Sequence, residues 1–249
     1  MGIGAACARA FGRRGARLIL TARSAAALEV VSQAVAPAET RVLQADLGRP
    51  EEVAALPRRA LDCWGRVDVL VNNAGGGVYL PCWELPPAQA RALMEVNFFA
   101  PLELMRQTIP AMRRQGGGAI VNVSSIAGQV ALPWLTLYSA SKAALNFLSE
   151  GVRMELAGSG VRIVSVCPGY VKTGFSQHVL AGQMPGAVAR RRRFTITPEE
   201  CAEAIVRGVE RGTRTVVTPR VGWALVWFAR LFPKTVDGIL ARMRGPNPE

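Results

Sequence analysis

Histidine occurs once in the 249 residues, at His178, and cysteine five times, at positions 7, 63, 82, 167 and 201. A single histidine excludes multi-histidine metal sites and leaves a Ser/His/Asp triad resting on one residue. The cysteines are odd in number, unclustered and without a C-x-x-C pair. They suggest neither a disulfide framework nor a cysteine zinc site, so no metal is expected and a reducing cytoplasm suits them. Long apolar runs are missing too. The richest, Val221 to Phe232, covers about twelve residues and contains Arg230, against roughly twenty needed to span a membrane. The opening stretch carries Arg9, Arg13, Arg14 and Arg17, which rules out the apolar core of a signal peptide.

Negative charge is scarce, with 18 acidic against 30 basic residues and a net charge of +12. Half of the excess lies in residues 184–249, which hold twelve basic and six acidic side chains. Such a surface suits an anionic lipid or an acidic carrier, whereas nucleic acid is not expected because no base-reading motif accompanies the charge. With 50% apolar and only 19% charged residues, the chain is no disordered tail, and its length fits one well-filled domain over residues 1–249.

Short apolar runs alternate with amphipathic stretches. Strands are predicted at Arg17 to Thr21, Arg41 to Ala45, Val67 to Val71, Ala119 to Val123, Val161 to Val166 and Arg214 to Val217, with helices over about 4–14, 24–36, 50–64, 87–114, 138–157 and 198–211. Repeated β-α units of this kind build an α/β fold with a doubly wound parallel sheet, whose ligands sit beyond the carboxyl ends of the strands. The residues there are Ala22-Arg23, Asp46-Leu47, Asn72 to Gly75, Ser124-Ser125 and Pro168-Gly169, all small, polar or turn-forming apart from Leu47.

Tyr138 and Lys142 stand four apart in a helical stretch and share a face. An adjacent ammonium favours a phenolate, so Lys142 is expected to lower the tyrosine pKa towards working range. Ser125, just past a strand, offers a hydroxyl to a substrate carbonyl, or caps a turn. Asn97 is a polar residue among apolar neighbours in MEVNFFAP, and burial there requires hydrogen-bond partners.

NNAG at 72–75, VNVSS at 121–125, YSASK at 138–142 and PGYVKT at 168–173, in this order and spacing, resemble the short-chain dehydrogenase/reductase family over nearly the whole chain. The resemblance implies a Rossmann-like fold and an NAD(P)-dependent oxidoreductase. It makes Tyr138 the acid-base catalyst, Lys142 the ribose contact, Ser125 the group orienting the reacting oxygen and Asn97 the support of a proton-relaying water. It places the cofactor against Gly2, Ile3, Gly4, Asp46, Leu47, Asn73, Ala74, Gly75, Pro168, Gly169, Val171 and Thr173, beside Tyr138 and Lys142. Members using NAD carry an acidic residue where this chain has Ala22 followed by Arg23, a guanidinium suited to a 2′-phosphate. NADP(H) is therefore expected over NAD(H).

The family opens with a strand and a T-G-x-x-x-G-x-G turn, of which this chain holds only Gly2-Ile3-Gly4. The resemblance thus implies that the first, central strand is absent. The expectation is an internal methionine taken as the start, with a truncated, non-catalytic scaffold relative as the rival. Residues 174–197, with His178, Met184 and Arg190 to Arg193, resemble the variable substrate loop. In the segment after residue 219, Trp223, Trp227, Leu231 and Ala224, Phe228, Phe232 recur at helical spacing. These stripes fit a cover over the substrate cleft, a homo-oligomer contact, or peripheral attachment to a membrane. The combined expectation is interconversion of a lipophilic carbonyl and a secondary alcohol, with reduction of 3-oxoacyl groups on an acidic carrier as the alternative.

Overall fold

The computed structural model describes residues 2–177, 179–182 and 195–242. His178, Met184 and Arg190 to Arg193 lie outside them. Alanine-rich α1 (Ile3–Gly12) leads into β1 (Leu18–Leu20), followed by α2 (Ala25–Ala34) and β2 (Thr40–Val42). Next come α3 (Pro50–Trp64), β3 (Val69–Asn72), β4 (Val78–Tyr79) and α4 (Pro87–Met94), then α5 (Ala100–Arg114), β5 (Gly118–Val123) and α6 (Thr136–Glu155). β6 (Val161–Pro168), β7 (Ala181–Gly182), α7 (Pro198–Glu210) and β8 (Thr215–Thr218) follow, and α8 (Gly222–Leu231) with α9 (Pro233–Ala241) ends the described chain.

Local chemistry sets these boundaries. α3 starts on Pro50 with Glu51 and Glu52 in its first turn and stops at Gly65 in the left-handed region, where a Cβ would be strained. α7 begins with a reciprocal cap between Thr197 and Glu200, with Pro198 in its first turn. The stretch expected as one helix over 87–114 is interrupted by a π-helical turn, Glu95–Phe99, which wraps around Asn97.

All the strands pair in parallel, β3–β5–β6–β8 in one group and β1–β2 in another. Ile120 lies between Leu70 and Ile163 in register. One face of the larger group packs α1 and α7 through Ala6, Cys7, Ala10, Cys201, Ile205 and Val206 against Val121, Val164 and Val166. The other carries α5 and α6 through Met105, Met112 and Leu156 against Ile120 and Ile163. This is the doubly wound, Rossmann-like α/β arrangement in a single domain.

β1 and β3 each have one strand neighbour among the described residues, β2 and β5 respectively. The two groups do not pair with each other, so the central position expected to be vacant is a slot between two parallel edges. Val69, Leu70 and Val71 are only partly buried as a result, while Ile120, Val121 and Val123 beyond them are fully covered. Helices bridge the slot. Phe11 of α1 packs both against the larger core and against Leu18 and Val35. α3 and α5 meet over Leu43, Ala45 and Leu70 through Val53, Leu56, Ala100 and Leu104. α1 is clamped to α7 by Arg9–Glu199, Arg13–Glu203, Arg14–Glu203 and Arg14–Glu210 ion pairs of 2.7–2.9 Å, each a small contribution at an exposed site.

Candidate active site

The loops that follow the strands converge on a cavity of about 1500 Å³ that is continuous with the slot. On one side it is bounded by the residues that open α1. Gly2 caps that helix without a side-chain bond, and its first turn holds no acidic residue, leaving amide N–H groups free for an anion. A Cβ on Gly4 would stand 2.8 Å from Asn73 Nδ2, so only glycine lets α1 approach the β3 loop this closely. Arg23 is exposed at the cavity edge, its backbone carbonyl accepting from Gln44 Nε2 at 2.8 Å. Asp46 is ordered by accepting from the Gly48 N–H at 2.9 Å, beside Leu47. Ile3, Ala74, Gly75, Pro168, Gly169, Val171 and Thr173 also line the cavity. The cofactor-contact positions of the sequence reading therefore share one cleft, and an uncapped helix start is a site that fits a dinucleotide phosphate.

At the centre lie Ser125, Tyr138 and Lys142. Ser125, two residues past β5, is in extended backbone and its Oγ accepts from the Ala127 N–H at 3.1 Å. This is the turn-capping bond of the sequence reading. Lys142 is 4% exposed and its Nζ donates to the Val123 carbonyl at 3.0 Å. Ser124 Oγ donates to the Lys142 carbonyl at 3.0 Å, tying α6 to the end of β5. Burial brings the lysine down from 10.5 to about 8. Its Nζ is 6.0 Å from the centre of the Tyr138 ring.

The expected depression of the tyrosine pKa does not occur in this arrangement. Burial raises it, opposed by a hydrogen bond with Ser125. The reason is geometric: the ammonium is turned to the Val123 carbonyl, and desolvation of a phenolate outweighs the one stabilising bond. At neutral pH the phenol holds its proton. Phe175 packs against the Tyr138 ring at 5.7 Å, a neighbour that the motif reading missed.

Asn97 is fully buried. Its Oδ1 accepts from the Gly76 N–H at 2.9 Å, while Nδ2 donates to the Gly76 carbonyl at 3.1 Å and to Ser141 Oγ at 3.0 Å. These bonds lock the β3 loop to α6, the bracket that a buried amide requires; the water relay implied by resemblance is not carried by them. Gly75 sits between, where an added Cβ would lie 3.1 Å from Asn97 Oδ1 and 3.2 Å from Lys142 Nζ. The NNAG motif signals Gly75, but nothing in the sequence marks Gly76 or Ser141 as the partners.

The cavity also has an apolar contribution to its lining, from Leu135, Phe175, Leu180, Leu225, Phe228 and Ile239. Leu180 is held there by its N–H bond to the Gly77 carbonyl and the β4–β7 pairing. The aromatic stripes divide: Phe228 borders the cavity, but Trp223, Trp227 and Phe232 do not. The buried line of α8 is Gly222 and Val226, outside the aromatic stripes that four-residue spacing picked out.

The sequence model described as short chain dehydrogenase matches residues 1–183. Ketoacyl reductase HetN of Nostoc is 33% identical over 249 aligned residues, which cover 96% of this chain and 84% of the relative. A short-chain dehydrogenase from Sphingobium yanoikuyae, solved in complex with NADPH, shares 28% identity at a TM-score of 0.80, covering all of this chain and 94% of that one. A short-chain dehydrogenase/reductase from Burkholderia phymatum, solved with NAD, shares 25% identity at a TM-score of 0.85, covering 100% and 93%. With the strand order, the cleft beyond the strand ends and the Ser-Tyr-Lys cluster in place, the chain belongs to the short-chain dehydrogenase/reductase family, oxidoreductases that act on CH–OH groups.

Proposed function

We propose that the protein is an NADP(H)-dependent oxidoreductase that interconverts a lipophilic carbonyl and a secondary alcohol. The observation carrying this reading is a single cavity whose lining combines the anion-receptive start of α1 at Gly2 to Gly4, Arg23, the apolar side chains Leu225, Phe228 and Ile239, and Tyr138. Arg23 with no acidic neighbour at Ala22 supports NADP(H), although relatives solved with NADPH and with NAD are equally similar in fold.

The bound nicotinamide would supply or accept the hydride. In reduction, the chain's part is to orient the substrate carbonyl oxygen through the Ser125 hydroxyl and to deliver the Tyr138 phenolic proton to it as the alkoxide forms. Oxidation runs the same transfers backwards. The raised tyrosine pKa keeps that proton in place until charge develops on the substrate. Lys142 would bind the ribose and, once turned from the Val123 carbonyl, stabilise the phenolate left behind. Gly75 and Asn97 hold the lysine in position.

The test is NADPH oxidation with ketones of increasing chain length. kcat/KM should rise by up to about fourfold for each methylene that is buried, the equivalent of ~0.8 kcal/mol per CH₂. Tyr138→Phe should lose at least about a thousandfold in turnover while NADPH affinity stays within about twofold. A flat series would remove the lipophilic substrate, and a variant within about tenfold of wild type would remove the tyrosine assignment. Reduction of 3-oxoacyl groups on an acidic carrier is the second reading, favoured by the +12 charge and by the likeness to a Nostoc protein named as a ketoacyl reductase. Preference for carrier-bound over free ketones would select it.

A further inference from the structure

We propose that α8 and α9 form a docking surface for an anionic lipid membrane and that the substrate cavity opens onto it. The two helices have three distinct sides. Val226 and Val236 are buried against Val130, with Trp223, Ala229 and Leu240 around them, which fixes the pair to the domain. Leu225, Phe228 and Ile239 border the cavity. The third side is apolar and faces solvent: Trp227 is 55% exposed, Leu231 67% and Phe232 53%. Around it stand Arg220, Arg230, Lys234 and Arg242, all exposed, against the single acid Asp237. Arg230 lies 6.0 Å over the Trp227 ring, a cation beside an amphipathic aromatic of the kind that settles at a lipid headgroup layer.

A second copy of the chain fits this side poorly. In a two-fold contact the same patch meets itself, which would bring the four cations of one copy against those of the other. A surface better suited to self-association lies on α6, where Phe147 and Met154 are 76% and 73% exposed seven residues apart on one helix face. Anionic headgroups complement the basic rim of α8 and α9, and the exposed side chains would enter the interfacial layer. No helix among the described residues is long and apolar enough to cross a membrane, so attachment is to the surface. Because Leu225 and Phe228 lie on the same helix as Trp227 and Leu231, a lipid-borne substrate would enter the cavity without passing through water. This last step rests on the oxidoreductase reading; the docking surface does not.

The test is flotation of the protein with phosphatidylcholine vesicles, with and without about one-third phosphatidylglycerol. The protein should float with the anionic vesicles and be released by high salt. Trp227→Ser combined with Leu231→Ser should cut the bound fraction by at least about tenfold, with an unchanged circular dichroism spectrum and melting temperature. Absence of flotation, flotation that the double variant leaves intact, or a concentration-dependent dimer that it dissociates would each overturn the proposal. In the activity arm, the variant should match wild type on a short soluble ketone and fall behind on a long-chain ketone dissolved in anionic vesicles. Failure to reduce either ketone while flotation persists would reject the oxidoreductase reading and leave the docking surface standing.

Discussion

Replacing Lys142 with methionine should separate what this side chain does for chemistry from what it costs the fold. The ammonium is enclosed, with one hydrogen bond at 3.0 Å to the Val123 carbonyl, and burial brings its pKa from 10.5 to about 8. At ~1.4 kcal/mol per pKa unit, the charged form is about 3 kcal/mol less favourable in the folded than in the unfolded chain. Losing the hydrogen bond to Val123 returns about 1 kcal/mol of that. Lys142→Met, of similar length and without charge, should therefore be about 2 kcal/mol more stable than wild type at neutral pH without nucleotide, while losing its activity. The pH dependence follows from the same shift. Between pH 8 and 10.5 the unfolded chain binds more protons than the folded one, so this term makes wild-type stability rise with pH across that window and fall as pH drops through 8. Urea unfolding followed by tryptophan fluorescence from about pH 7 to 10 would measure both curves, which should converge towards the alkaline end as the penalty falls below about 1 kcal/mol. A less stable variant at neutral pH, or a difference that does not change with pH, would refute the argument.

Gly75→Ala places a methyl group between Asn97 and Lys142 and should lower kcat by at least about tenfold while costing only about 1 kcal/mol of stability; a kcat within about twofold of wild type would mean that the lysine yields freely. Arg23→Ala should weaken NADPH by about ten- to a hundredfold, the worth of a charge-assisted bond, and change NADH little, as fluorescence titration would show. Equal losses for the two nucleotides would make Arg23 a purely structural residue. An apolar β-branched segment of about six residues fused ahead of Gly2 should enter the slot and pair with both β1 and β3. At ~1 kcal/mol for each of roughly six backbone bonds, the melting temperature should rise by about 10–20 °C, and an unchanged value would show that the slot does not accept a strand.

Most of the framework was legible because its signals are local. Apolar runs of strand length located β1, β2, β3, β5, β6 and β8 to within a few residues but not the two-residue β4 and β7, and Pro50 and Pro198 marked helix starts correctly. The motifs named the cleft because residues after successive parallel strands must converge. What escaped depends on long-range packing. The π-helical turn at Glu95–Phe99 has no pattern distinct from α-helix, and it exists to turn Asn97 towards Gly76 and Ser141. The direction of the Tyr138 shift depends on where Lys142 points, and spacing alone cannot tell whether an ammonium faces a phenol or a backbone carbonyl. The inner face of α8 was not marked in the sequence, because the small Gly222 and the slender Val226 that fit against Ile126 and Val130 carry no pattern beside the large aromatics.

The divided sheet also sets the order in which the molecule can come apart. Amide protons in the buried parts of β5 and β6 that have a strand on each side, Ala119 to Asn122 and Ser165 to Val166, should exchange with solvent only on global unfolding. Those of β1 and β2 belong to a unit joined to the rest through its helices and not through strand pairing, and should exchange through a separate, cheaper opening. Gly2 to Gly4, Arg23 and Asp46 straddle that division, with Arg23 and Asp46 in the loops of the smaller unit and Asn73, Tyr138 and Lys142 in the larger. A ligand that engages both sides would act as a clasp, and its affinity would include the free energy of holding the two units in register. Nucleotide binding should therefore slow exchange in β1 and β2 far more than in β5 and β6.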